Sequence, residues 1–170
     1  MSTRLPAQVD AWRMVAARRS FSGTLPVAVL SRLVESVAEP AGDIEYELDF
    51  GCDELGNPSL DVQACAQVTL LCQRSLEPFR TELRAKTRLS LIKDEHDVAA
   101  RSATSEPLLV SGPLRLEDVI EDELLLVLPL IPVAPGSEQK IAAWTGTNRI
   151  EDAADAEPNP FAALSRLKSS

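Results

Sequence analysis

Cys72 and Ser75 occupy the two positions at which a Cys-x-x-Cys turn would present paired thiolates to one metal ion. Structural zinc needs four soft or imidazole ligands, and serine is a poor one. Cys65 cannot replace it, because an uninterrupted alternating run between Cys65 and Cys72 puts their thiols on opposite faces of a strand. Cys52 lies across a turn, and the one histidine, His96, sits in an acidic stretch where a solvated ring is expected. These residues predict no metal and no cofactor. Cys72 reads as a small buried hydrophobe at a strand end, with Ser75 as a turn residue.

A second set of residues suits anions. Arg80, Arg84, Lys86 and Arg88 share one parity, interrupted only by Glu82, with Arg74 near the preceding turn and Lys93 just beyond. On one face of a strand such a row could follow a phosphate backbone, arginine forks giving paired hydrogen bonds to phosphate oxygens. The plainer alternatives are solvated side chains, pairing with the acidic row Glu45, Glu47 and Asp49, or charge that keeps an edge strand from aggregating. A third set is acidic: Glu117, Asp118, Glu121, Asp122 and Glu123. Clustered carboxylates serve two-metal nucleases, but acids early in a helix also favour its N-terminus, and later ones form a wet face. A use more consistent with the spacing is a surface of Glu117, Asp118, Glu121 and Asp122 that holds a basic protein partner. No Gly-x-Ser-x-Gly elbow, phosphate-binding glycine loop or helical His-Glu pair accompanies these sets.

The elements that must position these residues follow from hydrophobic period. A helix is expected to begin near Pro6, with Val9, Trp12 and Ala16 at helical spacing, and to break at Arg18-Arg19. A second is predicted from Pro26 to Val37, with a short strand over Phe21 to Leu25 between them. The period then becomes two: Ile44, Tyr46, Leu48 and Phe50 form one buried row, and Leu60 to Leu70 and Phe79 to Leu91 form two more. Turn residues Asp53 to Pro58 join the first pair. Lys93 to Gly112 reads as a mobile acidic loop with a short extended piece at Leu108 to Val110. Leu116, Val119, Ile120, Leu124 and Val127 mark an amphipathic helix stopped by Pro129. The fold class is therefore α+β, an antiparallel meander covered by helices. One domain is expected over 1–135, a flexible acidic linker over 136–158, and a docking helix over 159–170 with Phe161, Leu164 and Leu167 as its stripe.

Composition limits the function. A net charge of -9 argues against coating nucleic acid by bulk electrostatics, which works by replacing phosphate counterions with Lys and Arg. Any RNA contact must be local. The charge is uneven: Arg4, Arg13, Arg18, Arg19 and Arg32 face Asp10 alone up to Val34, whereas acids dominate from Asp94 onward, which suggests two surfaces with different partners. Tyr46, Phe50 and Phe79 follow the buried parity, so exposed rings for stacking unpaired bases are scarce. Three cysteines without scaffold spacing fit reduced thiols. With no targeting segment and no apolar run near the ~18 residues that span a bilayer, a cytoplasmic place and no membrane partner are expected.

Three stretches resemble one family in the same order. Leu71-Cys72-Gln73-Arg74-Ser75-Leu76-Glu77-Pro78-Phe79 resembles a Cys-x-Arg-Cys-x-x-Pro-Phe turn, Cys72, Arg74, Pro78 and Phe79 matching and Ser75 standing for the second cysteine. Val119 to Pro129 resembles an acidic-then-aliphatic helix closed by proline, and Pro158 to Lys168 resembles a shared ending. These are features of the bacterial large ribosomal RNA subunit accumulation proteins (the YceD-like family), and the likeness runs from about Phe21 to Lys168. The resemblance implies support for synthesis, processing or stability of large-subunit (23S) ribosomal RNA in ribosome biogenesis. It names large-subunit rRNA or its precursor, and ribosomal or assembly proteins, as expected partners. A metal or redox role for the knuckle does not carry over, because Ser75 replaces a ligand. The residues add a non-enzymatic mechanism in which the basic row meets rRNA and the acidic half meets a protein. The alternatives are an assembly adaptor that touches only proteins and a carboxylate-dependent ribonuclease.

Overall fold

A computed structural model describes residues 5–94, 96 and 105–137 of the chain. The chain divides into two units, Met1–Ala134 and Pro135–Ser170, and the elements below belong to the first. The expected linker and docking helix lie outside the described residues, apart from 136 and 137.

Alternation dominates the architecture. Strands β1 (Ser20–Pro26), β2 (Asp43–Cys52), β3 (Pro58–Leu71), β4 (Pro78–Ile92) and β5 (Glu106–Leu109) form one sheet in sequential order. The first four pair antiparallel, as the meander predicts. The antiparallel expectation is corrected at the far edge, where β5 pairs parallel with β4 from Leu89↔Glu106 to Ile92↔Leu109. The extended piece expected at Leu108 thus joins the sheet.

One face is packed. Ile44, Tyr46, Leu48 and Phe50 of β2, Leu60 to Leu70 of even number on β3, and Leu83, Ala85, Leu89 and Leu91 of β4 are all buried. Against them lie helices α1 (Ala11–Ala16), α2 (Ser31–Ser36) and α3 (Leu116–Leu126). Helix α3 packs over β3 and β4 with Leu116, Val119, Ile120 and Leu124. The sheet beneath carries Ala64, Ala66 and Ala85, with Ala64 directly opposite Ala85, and small side chains there let backbones approach closely.

Two helices differ from expectation for reasons that are not local. Val9 is held in a bridge to Leu114 by hydrogen bonds of 2.9 and 2.8 Å in the two directions, so the chain stays extended past Pro6. Helix α1 starts only after Asp10, whose Oδ1 accepts from the Trp12 and Arg13 N–H groups at 3.0 and 3.1 Å. Pro26 likewise belongs to β1, opposite Asp43, and the Val27 N–H donates to the Gly42 carbonyl at 3.0 Å. That tie to the sheet leaves a single 3-10 turn over Val27–Val29 before α2 can begin.

The turn between β2 and β3 is local and legible in the sequence. Asp53 Oδ1 accepts from the Leu55 and Asn57 N–H groups at 2.9 and 2.7 Å, and Gly56 takes a positive φ of 81°. Leu124 is fully buried between α3 and the sheet. Its replacement by Ala is expected to cost about 2–5 kcal/mol of unfolding free energy, read as a lower midpoint with unchanged slope in urea denaturation.

Candidate functional site

The wet face of the sheet carries the candidate residues because the period of two sends them there. Arg80, Arg84, Lys86 and Arg88 are exposed on β4, the last three at alternate positions about 7 Å apart and Arg80 about 14 Å before Arg84, with Glu82 between. Through register they stand opposite Thr69, Cys65, Gln63 and Asp61 of β3. Beyond β3 lies β2, where Glu45, Glu47 and Asp49 stand opposite Cys65, Gln63 and Asp61. An uncharged middle strand, broken only by Asp61, therefore separates the acidic row from the basic one.

The four basic residues are not equivalent. Arg88 grips Asp61 with both ends of its fork, Nε to Oδ1 at 2.6 Å and Nη2 to Oδ2 at 3.0 Å. Arg84 pairs with Glu82 on its own strand at 2.9 Å. Each partner holds its guanidinium's pKa above the ordinary value, the carboxylate hydrogen bond being the largest cause. Glu82 also accepts from the Cys65 thiol at 3.2 Å, which pushes that thiol's pKa up. Arg80 and Lys86 make no ion pair among the described residues, and they are the cations of this row open to an outside anion. Arg74 is exposed on the turn before β4, and the Lys93 ammonium lies 4.9 Å from the Trp12 ring centre.

The knuckle turn is organised around the sulfur of Cys72. Pro78 opens β4 opposite Leu71, and Phe79 is half-buried against the core. Cys72 is wholly buried at the end of β3. Its backbone closes the turn through Cys72 N–H to Glu77 C=O and Leu76 N–H to Cys72 C=O, both 2.9 Å, with Leu76 at φ 56°. Its Sγ accepts from the Ala134 N–H at 3.3 Å and the Ser75 N–H at 3.4 Å. Gln73 N–H donates to Pro132 C=O at 2.8 Å, so the turn holds the chain that leaves α3. These donors, led by Ala134 and Ser75, outweigh desolvation and lower the thiol to about 6. Cys52 is exposed at the end of β2 and Cys65 is on the other face, and among the described residues no group of three His, Cys, Asp or Glu converges on a metal-sized site.

The acidic helix serves the fold more than its sequence suggests. Glu121 is buried. Its Oε1 accepts from the Arg32 and Leu33 N–H groups at 2.7 and 3.1 Å, and its Oε2 from Arg32 Nε at 2.8 Å. Asp122 takes Arg32 Nη1 at 2.6 Å, while Arg115 approaches Asp118 at 3.5 Å and Glu117 at 4.0 Å. Glu121 thus fastens the first turn of α2 to α3, and Arg32 and Arg115 neutralise part of the proposed partner surface. Glu123 is buried too, its carboxyl pKa raised by desolvation and partly offset by a hydrogen bond from Thr87. Sequence reasoning missed Arg32 and the inward turn of Glu121 and Glu123. The packing of α2 on α3, across 89 positions of sequence, reveals the pairing of Arg32 with Glu121, and the packing of α3 on β4 reveals Glu123 beside Thr87.

The fold and these two faces define a single-sheet α+β protein with charge sorted on an open face. The family model of the large ribosomal RNA subunit accumulation protein YceD matches residues 60–168, and the chain belongs to that family. It is 29% identical over 169 residues to the large ribosomal RNA subunit accumulation protein YceD of Haemophilus influenzae, covering 97% of each chain. No solved structure matches the chain.

Two outcomes follow from this geometry. Glu121→Ala should destabilise the chain by roughly 1–3 kcal/mol in urea denaturation, because it strands two backbone donors, and Glu121→Gln should recover part of the loss. In a Cys52→Ser, Cys65→Ser background, thiolate absorbance near 240 nm should titrate around pH 6, and Ser75→Ala should move the midpoint up. The sign is that of a depressed group: the thiolate's stabilisation is complete above the unfolded thiol's pKa of about 8.5 and is lost as pH falls through about 6.

Proposed function

We propose that the protein supports the accumulation of large-subunit ribosomal RNA as a non-enzymatic binding factor, with the outer face of β4 touching rRNA or its precursor. The observation that carries the reading is the exposed alternation on β4, in which Arg80 and Lys86 stand without a described ion-pair partner beside Arg84 and Arg88. The name of the Haemophilus influenzae relative supplies the RNA class. Phosphate oxygens would bind Arg80 and Lys86 directly. They would compete with Glu82 and Asp61 for the other two guanidinium groups.

Such contact is local by necessity, since the chain's net charge is -9. A rim of few cations on an acidic body gives modest affinity and favours RNA that already displays its phosphates in a fixed array, such as a folded helix. The acidic surface of Glu117, Asp118 and Asp122 is assigned to a ribosomal or assembly protein, weakened by Arg32 and Arg115. A protein-only adaptor is the second reading, favoured by the internal pairing of Arg84 and Arg88. The place of action is the cytoplasm, where ribosomes assemble; no helix among the described residues is long and apolar enough to cross a membrane.

The variant Arg80→Ala, Lys86→Ala separates the two readings. Under RNA contact it should weaken binding to large-subunit rRNA fragments and reduce the slope of log K against log salt by about 0.7–0.9 for each phosphate that is no longer neutralised. Under the adaptor reading the slope should not change while capture of ribosomal proteins persists.

A further inference from the structure

The first edge of the sheet is built to accept another strand. At the two ends of β1, the Phe50 N–H donates to the Arg19 carbonyl at 2.9 Å and the Val27 N–H to the Gly42 carbonyl at 3.0 Å. These two bonds fix the alternation of the antiparallel ladder: odd-numbered residues of β1 turn their backbone groups toward β2. Ser20, Ser22 and Thr24 consequently aim their N–H and C=O groups outward, and among the described residues no hydrogen bond reaches them.

Proteins usually blunt such an edge with lysine, a bulge or proline. Here the register runs without a bulge from Ser20↔Asp49 to Pro26↔Asp43, no residue of β1 is charged, and the proline is at the very end. The wet-face side chains of the edge are short and exposed, and each stands opposite an acid: Ser20 by Asp49, Ser22 by Glu47, Thr24 by Glu45. Those are the non-hydrogen-bonded pairs of the ladder, where side chains lie closest. None of the three acids makes an ion pair among the described residues. Small uncharged side chains thus leave a carboxylate row within reach of long cationic side chains arriving on a neighbouring strand.

We propose that β1 is a docking edge for an extended, basic segment of a partner protein, which adds as a sixth strand. Its lysine or arginine side chains alternate over Ser22 and Thr24 to meet Glu47 and Glu45, and its apolar side chains lie against half-buried Phe21 and buried Leu25 on the other face. Arg18 and Arg19 are exposed at the start of the strand and repel cations there, so the partner's basic residues gather toward the Thr24 end. The inference goes beyond the reading of β4 and does not depend on RNA contact, since it uses other strands and the opposite charge.

The test uses the full chain and a fluorescent probe, the peptide Lys-Val-Lys-Val-Lys-Val, with its Glu-Val counterpart as control. Anisotropy should show saturable binding of the basic probe alone, and amide exchange by NMR should slow by roughly tenfold or more at Ser20, Ser22 and Thr24. Glu45→Gln with Glu47→Gln should weaken the probe by roughly tenfold, and Ser22→Lys should abolish binding with an unchanged circular dichroism spectrum. Should Ser22→Lys fail to fold, the Glu45 and Glu47 variant and the exchange pattern still decide. Binding without protection of those three amides, or protection on α3, would overturn the proposal. So would protection of the same amides in the free chain with concentration-dependent dimerisation, which would make a second copy the occupant.

Discussion

A sheet covered by helices on one side can hide only alternate residues, and nearly everything in this molecule depends on that constraint. The long β3 and β4 ribbon buries every even residue of β3 from Leu60 to Leu70 and every odd residue of β4 from Leu83 to Leu91, apart from half-buried Thr87. A slip of one residue would bury Arg84, Lys86 and Arg88 and expose Leu83, Ala85 and Leu89. The register that makes the core therefore also makes the charged face. On the packed side α3 lies over β3 and β4, and its Glu121 meets Arg32 of α2.

Charge is then distributed by pairing more than by number. An acidic chain gains nothing from bulk attraction to RNA, yet Arg80 and Lys86 on β4 remain without a described ion-pair partner, and Glu45, Glu47 and Asp49 on β2 do as well. Other charges are paired within the fold: Arg88 with Asp61, Arg84 with Glu82, Arg32 with Glu121 and Asp122. Exposed pairs of this kind contribute little stability, but they set which groups are left to meet a partner. Glu121 is the exception, because its buried Oε1 alone accepts from two backbone donors, the Arg32 and Leu33 N–H groups, while Oε2 takes Arg32 Nε.

Features carried by neighbouring residues were legible in the sequence. The period of two gave β2, β3 and β4 with their faces, the Asp53 turn, and the burial of Cys72 by parity. Features that need a distant partner were not. The bridge of Val9 to Leu114 delays α1, the bond of Val27 to Gly42 shortens α2, and the parallel seat of β5 depends on the end of β4. The candidate site divides in the same way. The basic row was visible as a row, but that Arg88 is taken depends on Asp61, 27 positions away in sequence, and the knuckle's sulfur finds Ala134 only after the chain has left α3. The Ser75 N–H reaches the same sulfur from within the turn, a contact that the spacing of the two residues made local.

If the exposed row of β4 touches large-subunit rRNA in the cell, as proposed, the contact should be open to crosslinking. Ultraviolet crosslinking of the tagged full chain in growing cells, with sequencing of the attached RNA and mapping of the crosslinked peptides, tests it most directly. Crosslinks are expected between Arg80 and Lys93, concentrated in large-subunit rRNA or its precursor. Recovery of a ribosomal or assembly protein with no RNA above background would contradict it.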